Sequence, residues 1–184
     1  MQKWETEQGI RFLRKIGLKS NQTILDFGAR VGHYSIPAAI AVGRDGLVYA
    51  LDKNQDALGE LQRKAQLLNL HNIKIIQTSE RVVFGFKAES IDVALVYDVL
   101  HYFNLNERVQ LYSEVFRVLK TNGIISVYPK HVLEDSPLDQ LSRINLDNLK
   151  QEIMKANFKF HGKYCDLISH NDFLNQGCVL NFTK

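Results

Sequence analysis

Short runs of apolar residues alternate along the chain with longer segments whose apolar residues recur every three or four positions. A run that is apolar throughout, such as IDVALVY at 91–97, predicts a strand covered on both faces. A spacing of three or four positions, as in Leu58, Leu61, Ala65 and Leu68, predicts one face of a helix. The alternation therefore predicts an α/β protein.

The pattern resolves into five helices and seven strands. The predicted helices cover 5–16, 33–42, a segment capped by Asn54 that ends at Leu68, a segment from Asn106 to the stop signal at 121–123, and 147–156. The predicted strands cover 23–27, 46–51, 73–76, 91–97, 124–128, and about 158–168 and 177–182. The last two leave no room for a helix between them, so they predict an antiparallel hairpin. We expect a doubly wound, mostly parallel seven-stranded sheet with this C-terminal antiparallel hairpin and helices on both faces.

Composition narrows the class of protein. A length of 184 residues suits one domain, expected to span 1–184. The net charge is only +3 and the 23 basic residues are scattered, which argues against nucleic acid as a partner. No apolar run is long enough to span a bilayer and the N-terminus has no hydrophobic block, so we expect no membrane partner and a cytoplasmic location. The two cysteines, Cys165 and Cys178, fit no disulfide framework or metal cluster and are expected to be half-buried thiols.

The segment ILDFGARVGHYSIP at 24–37 joins the first strand to the next helix through a glycine turn. Gly28 would let the backbone turn sharply and approach a ligand, and Gly32 would let the helix pack closely. The second strand ends near Asp52, a carboxylate that can accept both hydroxyls of a ribose. Together these features indicate a ligand that contains adenosine. Taken singly, each has an ordinary structural alternative: a loop cap for Asp26, turn glycines at 28 and 32, and a helix cap for Asp52.

Four blocks resemble the class I S-adenosylmethionine-dependent methyltransferases, in the order that this family has them. They are ILDFGARVGHYSIPAA, GLVYALDKNQDAL, SIDVALVYDVLHYF and EVFRVLKTNGIISV, and the likeness runs from about residue 10 to 130. The resemblance implies a Rossmann-like methyltransferase domain with S-adenosyl-L-methionine as its cofactor. It also implies a set of cofactor-binding residues: Asp26, Gly28, Ala29, Arg30, Gly32, Asp52, Lys53, Ser79, Glu80 and Tyr97.

One position departs from the family pattern. The middle glycine of the family's loop is Arg30 in this chain. If the loop needs a positive φ there, arginine introduces strain of about 1–3 kcal/mol. Its side chain has two further options, which are to face solvent or to reach the cofactor's carboxylate through a charge-assisted hydrogen bond.

Candidate catalytic residues follow the fourth strand. Asp98 and His101 are the expected catalytic pair, with Tyr102 beside them, because a histidine can take a proton from a methyl acceptor. The ordinary alternatives are a packed histidine at a helix start and an aspartate that caps the following helix. His131, His161 and His170 show no ligand spacing, so no metal is expected.

These features support three functions unequally. The first is a methyltransferase that uses S-adenosylmethionine and acts on a small-molecule substrate. The second is a non-catalytic protein of the same fold, a scaffold or partner subunit whose cofactor binding is weakened by Arg30. The third, a nicotinamide-dependent dehydrogenase, is disfavoured because the loop lacks a third glycine at dinucleotide spacing.

Overall fold

The computed structural model describes residues 1–79 and 84–184. The strands are β1 (Thr23–Phe27), β2 (Leu47–Asp52), β3 (Ile73–Gln77), β4 (Ile91–Tyr97), β5 (Leu119–Tyr128), β6 (Lys159–His170) and β7 (Phe173–Thr183). The α-helices are α1 (Gly9–Lys15), α2 (Ser35–Val42), α3 (Gln55–Leu67), α4 (Leu105–Val118) and α5 (Leu146–Lys155). A π-helical turn, Trp4–Gln8, precedes α1, and short 3₁₀ turns lie at Leu100–Tyr102 and Asp139–Leu141.

The strands lie in the order β3-β2-β1-β4-β5-β7-β6, in a sheet that is parallel apart from its C-terminal strands. Helices lie around this sheet. The predicted fold class, a mostly parallel seven-stranded sheet with an antiparallel C-terminal hairpin, is confirmed. Within the two described ranges, none of the helices has both the length and the apolar character needed to cross a bilayer.

The described residues fall into two compact units. One contains the residues up to 79 together with Asp166–Gln176, and the other contains 84–165 together with Gly177–Lys184. The second segment of the first unit is the end of the β6–β7 hairpin. That one domain spans the whole chain stays a prediction.

The first unit is built on three parallel strands. β1 pairs with β2, and β2 pairs with β3, so the carboxyl ends of these strands lie side by side. Helix α3 begins at the predicted cap, because the side chain of Asn54 accepts a hydrogen bond from the Ala57 N–H. Its apolar face then packs in a buried cluster with Ala29, Ile36 and Ala50. The residues that follow β1 are thereby fixed against a packed helix.

The second unit contains β4 and β5, which are parallel, and the part of β7 from Gly177 onward, which is antiparallel to β5. Strand β5 begins earlier than predicted. The expected stop at 121–123 lies inside it, and the pairing shifts from Ile91 opposite Leu119 to Val93 opposite Ile124. The turn residues therefore form an irregularity within the strand instead of a loop before it.

The hairpin differs from the sequence prediction in length and in covalent structure. β6 continues to His170 and β7 begins at Phe173, which leaves a tight connection. Cys165 and Cys178 form a disulfide with a Cα–Cα distance of 4.0 Å. The expectation of two separate thiols is wrong, because hairpin pairing brings together two cysteines that lie 13 positions apart in sequence.

Candidate functional site

The loop after β1 lies against the end of β2. Asp26 is opposite Ala50 and Phe27 is opposite Leu51, so the carboxylates of Asp26 and Asp52 belong to neighbouring strand ends. The N–H groups of Gly28 and Ala29 both donate to the Leu51 carbonyl, at 2.8 and 2.9 Å. The two acidic strand ends therefore lie side by side within this unit.

The glycines of the loop are required by the backbone and by packing. Gly28 and Gly32 have φ of 86° and 89°, a region in which a side chain is strained. A Cβ atom at position 32 would lie 2.3 Å from Cδ1 of Leu61. The closest contact at Gly32 is therefore with helix α3, whereas the sequence analysis assigned this glycine to the packing of the helix that follows it.

Arg30 has a φ of 45°, so the position does require the left-handed conformation that glycine adopts easily. Its backbone N–H donates to Oδ2 of Asp52 at 2.8 Å. Its side chain is exposed, and Nη1 donates to Oδ1 of Asn171 at 2.8 Å. The guanidinium is thus exposed, which was one of the options given by the sequence, and it is bonded to the hairpin, a contact that the sequence did not suggest.

Asp52 is the acidic group best placed for a ribose. Its side chain is nearly buried, Oδ2 accepts from the Arg30 N–H, and Oδ1 accepts from the Asn54 N–H at 2.8 Å. An ionised carboxylate has about four acceptor positions, and these two bonds within the described residues use two of them. The carboxylate is therefore held in a fixed orientation and retains acceptor capacity, which fits a nucleoside.

Asp26 is more deeply buried, with 2% of its surface exposed. Its Oδ2 accepts a hydrogen bond of 2.5 Å from the hydroxyl of Ser35, the first residue of α2. Burial raises the pKa of Asp26 to about 7; the Ser35 hydrogen bond opposes this shift, and the charge of Asp52 adds to it. Asp26 thus ties the end of β1 to the start of α2 behind the loop.

Three of the expected cofactor residues follow β2 and β3. Lys53 and Ser79 are both exposed, and the side chain of Gln77 donates to the Lys53 carbonyl at 3.3 Å. Asp52 pairs with Gln77, so these positions lie at adjacent strand ends. Glu80, which the resemblance also implied, lies outside the described residues.

The remaining expected site residues lie in the second unit. The Tyr97 side chain is buried, and its hydroxyl is 2.7 Å from Oγ of Ser126 on the neighbouring strand. Asp98 follows with φ of 55°, and its N–H donates to the Tyr128 carbonyl at 3.2 Å. The side chain of Tyr97 therefore serves the core, and its backbone is the part that a ligand at the strand end would meet.

The two predicted catalytic residues lie together, with a third group beside them. Nδ1 of His101, which is buried, lies 3.7 Å from Oδ1 of Asp98. Nε2 of His131 lies 3.4 Å from the same oxygen, and its Nδ1 is 2.8 Å from the Ser136 carbonyl oxygen. His131 was not expected here from the sequence. The feature of the sequence that could have identified it is its position three residues after β5, a strand that runs parallel to β4.

His33, directly after Gly32, is a second functional candidate that was not identified from the sequence. Its Nδ1 lies 2.8 Å from Oε1 of Glu5 and its Nε2 lies 3.1 Å from Oδ1 of Asp172. Lys64 also binds Glu5, at 2.9 Å. Burial raises the pKa of Glu5, but hydrogen bonds from His33 and Lys64 outweigh it and lower that pKa. Because the partners come from distant parts of the chain, spacing around His33 carried no signal for this network.

Solved structures share this fold over nearly the whole chain. A SAM-dependent methyltransferase from Aquifex aeolicus superposes with a TM-score of 0.77 at 18% identity, covering 99% of this chain and 92% of that one. Magnesium protoporphyrin IX methyltransferase from Synechocystis PCC 6803, with bound SAH, gives a TM-score of 0.71 at 20% identity. It covers 97% of this chain and 80% of that one. At these identities the likeness concerns the fold.

Sequence comparison gives the family. A demethylmenaquinone methyltransferase from Lactobacillus johnsonii is 27% identical over 124 residues, which are 66% of this chain and 50% of the relative. The chain thus spans about half the length of this curated relative. A family model described as a methyltransferase domain matches residues 24–123, more than half of the chain. The glycine loop, the acidic strand ends and the fourth strand all lie within that match, and the chain belongs to the methyltransferase domain family.

Proposed function

We propose that the protein is a methyltransferase that binds S-adenosylmethionine at the carboxyl ends of β1 and β2 and methylates a small molecule. The observation that carries the proposal is the carboxylate of Asp52, which the Arg30 and Asn54 amides fix beside a glycine loop. Such a carboxylate binds ribose hydroxyls, and the membership of the family supports the identity of the ligand. When bound, the cofactor supplies an electrophilic methyl group on a sulfonium.

Different residues of the chain are proposed to bind different parts of the cofactor. Asp52 would accept the ribose hydroxyls, and the backbone at 28–30 would lie against the methionine part. Lys53 and Ser79 would lie beside the adenine. The roles of Glu80 and of the Tyr97 backbone stay predictions from the resemblance. A donor held in this way would be positioned for in-line transfer, and such positioning supplies most of the rate in a direct transfer.

Asp98, His101 and His131 are the proposed acid–base group. An imidazole accepts the proton that a hydroxyl, amine or acidic carbon of the acceptor loses as the methyl group is transferred. The carboxylate of Asp98, at 3.4 and 3.7 Å from the two rings, stabilises an imidazolium after that step. The proposal therefore assigns proton transfer to the histidines and orientation to Asp98.

The small-molecule acceptor is supported by the relatives, whose names specify demethylmenaquinone and magnesium protoporphyrin IX. Neither acceptor is assigned to this chain. The cytoplasmic location expected from the sequence stays a prediction. The disulfide weighs against it, because disulfides are rare in reducing compartments.

Thermal unfolding with added ligands tests the proposal. At 100 times its dissociation constant, a ligand of the folded state adds about 2.7 kcal/mol. For this length that is a rise in melting temperature of about 5–11 °C. We expect this rise with S-adenosylmethionine and with S-adenosylhomocysteine, but not with NAD. Asp52→Ala should abolish it, whereas Asp45→Ala, which removes an exposed carboxylate of the loop before β2, should leave it unchanged.

A non-catalytic role as a scaffold is the second candidate, and the positive φ of Arg30 is the observation that favours it. Relief of that strain would move the loop out of this conformation and so weaken cofactor binding. The absence of a shift with either sulfur ligand at millimolar concentration would support the scaffold and overturn the methyltransferase proposal.

A further inference from the structure

The end of the β6–β7 hairpin belongs to the same compact unit as the glycine loop. We call residues 169–172, which are the last two residues of β6 and the two that follow it, the hairpin tip. Its residues Asn171 and Asp172 are the two residues between β6 and β7. Each of them binds a different residue of the segment 30–33, so the contact between tip and loop is not a single surface hydrogen bond.

Asn171 holds the arginine that replaces the family's glycine. Its Oδ1 accepts from Nη1 of Arg30 at 2.8 Å, while the backbone N–H of the same arginine donates to Asp52. Both Asn171 and Arg30 have positive φ, of 52° and 45°. The tip, the loop and the proposed ribose carboxylate are thus connected through one residue.

Asp172 binds His33, which follows Gly32, whereas Asn171 binds Arg30, which precedes it. Oδ1 of Asp172 lies 3.1 Å from Nε2 of His33, whose Nδ1 faces Glu5 at 2.8 Å. A neutral imidazole has one N–H and can donate to only one of these two carboxylates. A protonated ring has two N–H groups, and both contacts are then hydrogen bonds. The hydrogen bond with His33 lowers the pKa of Asp172, which favours the ionised form of this carboxyl group.

A third contact comes from the residue after His33. The hydroxyl of Tyr34 donates to the Ser169 carbonyl at 2.6 Å. Arg30, His33 and Tyr34 are therefore all bonded to the tip, over a short stretch that contains Gly32. A non-glycine residue persists in the left-handed region when its surroundings fix it there, and these contacts do so.

We propose that Asn171 and Asp172 are positioning residues for cofactor binding, which act by holding Arg30 and His33. Through them the Arg30 amide stays on Asp52, so the loop and the ribose carboxylate are ordered before the ligand binds. This inference rests on the proposed function, because it concerns the affinity of the same site. It explains why an arginine occupies a glycine position: its side chain reaches the tip, which glycine cannot do.

The test measures the dissociation constant of S-adenosylhomocysteine by titration calorimetry for a set of tip variants. Asn171→Gly removes the acceptor and suits the positive φ, so it adds no backbone strain. We expect a dissociation constant about threefold to tenfold higher. Asn171→Asp keeps an acceptor oxygen for Arg30 and should retain the wild-type affinity. Asn157→Gly is the matched control, an exposed asparagine with φ of 69° after α5, and should change nothing.

The Arg30→Gly background separates positioning from a general effect on the hairpin. In that background Asn171→Gly should have no further effect on the dissociation constant, because the partner of Asn171 is already gone. An equal loss in both backgrounds, or wild-type affinity in Asn171→Gly, would overturn the proposal.

Amide hydrogen exchange of residues 28–33 provides a readout without ligand. Asn171→Gly should exchange faster there than the wild type, and Asn157→Gly should not. If the wild type binds no sulfur ligand, the proposed function fails, and the exchange measurement still decides whether the tip orders the loop. Unchanged exchange in Asn171→Gly would reject the positioning role by itself.

Discussion

The hydroxyl of Ser35 donates a hydrogen bond of 2.5 Å to Oδ2 of Asp26, and both side chains are buried. This pair joins the end of β1 to the first turn of α2, on either side of the glycine loop. A carboxylate is costly to bury, and one hydroxyl compensates for only part of that cost. The pKa of Asp26 is consequently raised by burial to about 7.

Asp26→Asn should become more stabilising, relative to the wild type, as the pH rises from 5 to 8. A carboxyl with a raised pKa binds a proton in the folded state that it releases in the unfolded state between its ordinary value of 3.8 and about 7. Its contribution to the free energy of unfolding therefore falls over that window. We expect the difference between variant and wild type to grow by about 2.7 kcal/mol, or about 5–11 °C in melting temperature.

Asp45→Asn is the control for this pH series, because it makes the same chemical change at an exposed position of the loop before β2. Its melting temperature should follow that of the wild type at each pH. A difference for Asp26→Asn that stays flat between pH 5 and 8 would show that the carboxyl keeps an ordinary pKa in the folded protein.

The strands and most helices could be predicted because their signals are local. Apolar runs and helical spacing depend on neighbours a few positions away, and the cap at Asn54 is bonded to a residue three positions on. The extension of the hairpin was missed for the opposite reason. The polar residues around Asn171 resemble a loop, and what orders them is contact with residues more than a hundred positions earlier.

The candidate site shows the same division. The location of the acid and the glycines in the fold could be predicted, since a strand, a turn and a helix in succession place Asp26, Gly28 and Gly32 without further information. The direction of the Arg30 side chain was not, because it is set by Asn171. His131 was missed since its neighbour Asp98 is 33 positions away along the chain and becomes close through strand pairing.

Gly32→Ala should destabilise the protein strongly. The position has φ of 89°, and the added Cβ would lie 2.3 Å from Leu61 Cδ1 in the packed cluster of α3. Backbone strain of about 1–2 kcal/mol and overpacking of about 1–3 kcal/mol act together. We expect a loss of about 2–5 kcal/mol in the free energy of unfolding, measured by chemical denaturation.

Variants of two other glycines separate the cost of backbone strain from the cost of the clash with Leu61. Gly43 has φ of 75° but open space where a Cβ atom would lie, so Gly43→Ala reports backbone strain without a clash. Gly59 lies within α3, also in open space, and Gly59→Ala should stabilise by about 0.5–1 kcal/mol. Equal losses for Gly32→Ala and Gly43→Ala would mean that Leu61 moves aside at no cost.

Glu152→Gln should also destabilise, because it leaves a buried guanidinium without its charged partner. Arg108 on α4 is 2% exposed, and its Nε and Nη2 each donate to Glu152 on α5 at 2.8 Å. Removing one partner of a buried ion pair costs about 3–5 kcal/mol. Thermal and chemical denaturation of the variant measure this loss.

A double-mutant cycle with Arg108→Met tests whether the two residues are coupled. The double variant should be more stable than the sum of the single losses predicts, because neither charge is then left alone. Glu7→Gln, which breaks the exposed pair with Arg11, should cost less than about 0.5 kcal/mol. Additive losses for the two single variants would show that Arg108 and Glu152 stabilise the fold independently of each other.

Replacing Cys165 and Cys178 with serine should lower the melting temperature of the oxidised protein. The disulfide closes a loop in which the two cysteines are 13 positions apart, and a loop of that size stabilises by about 3 kcal/mol through the unfolded chain. That corresponds to about 6–12 °C. A reductant should lower the melting temperature of the wild type by a similar amount and leave the double serine variant unchanged, since the variant has no bond to reduce.

The closed loop contains Asn171, so the serine variant should also bind S-adenosylhomocysteine more weakly than the wild type. Detection of two free thiols in the native protein under air would contradict the disulfide and support the two separate thiols expected from the sequence.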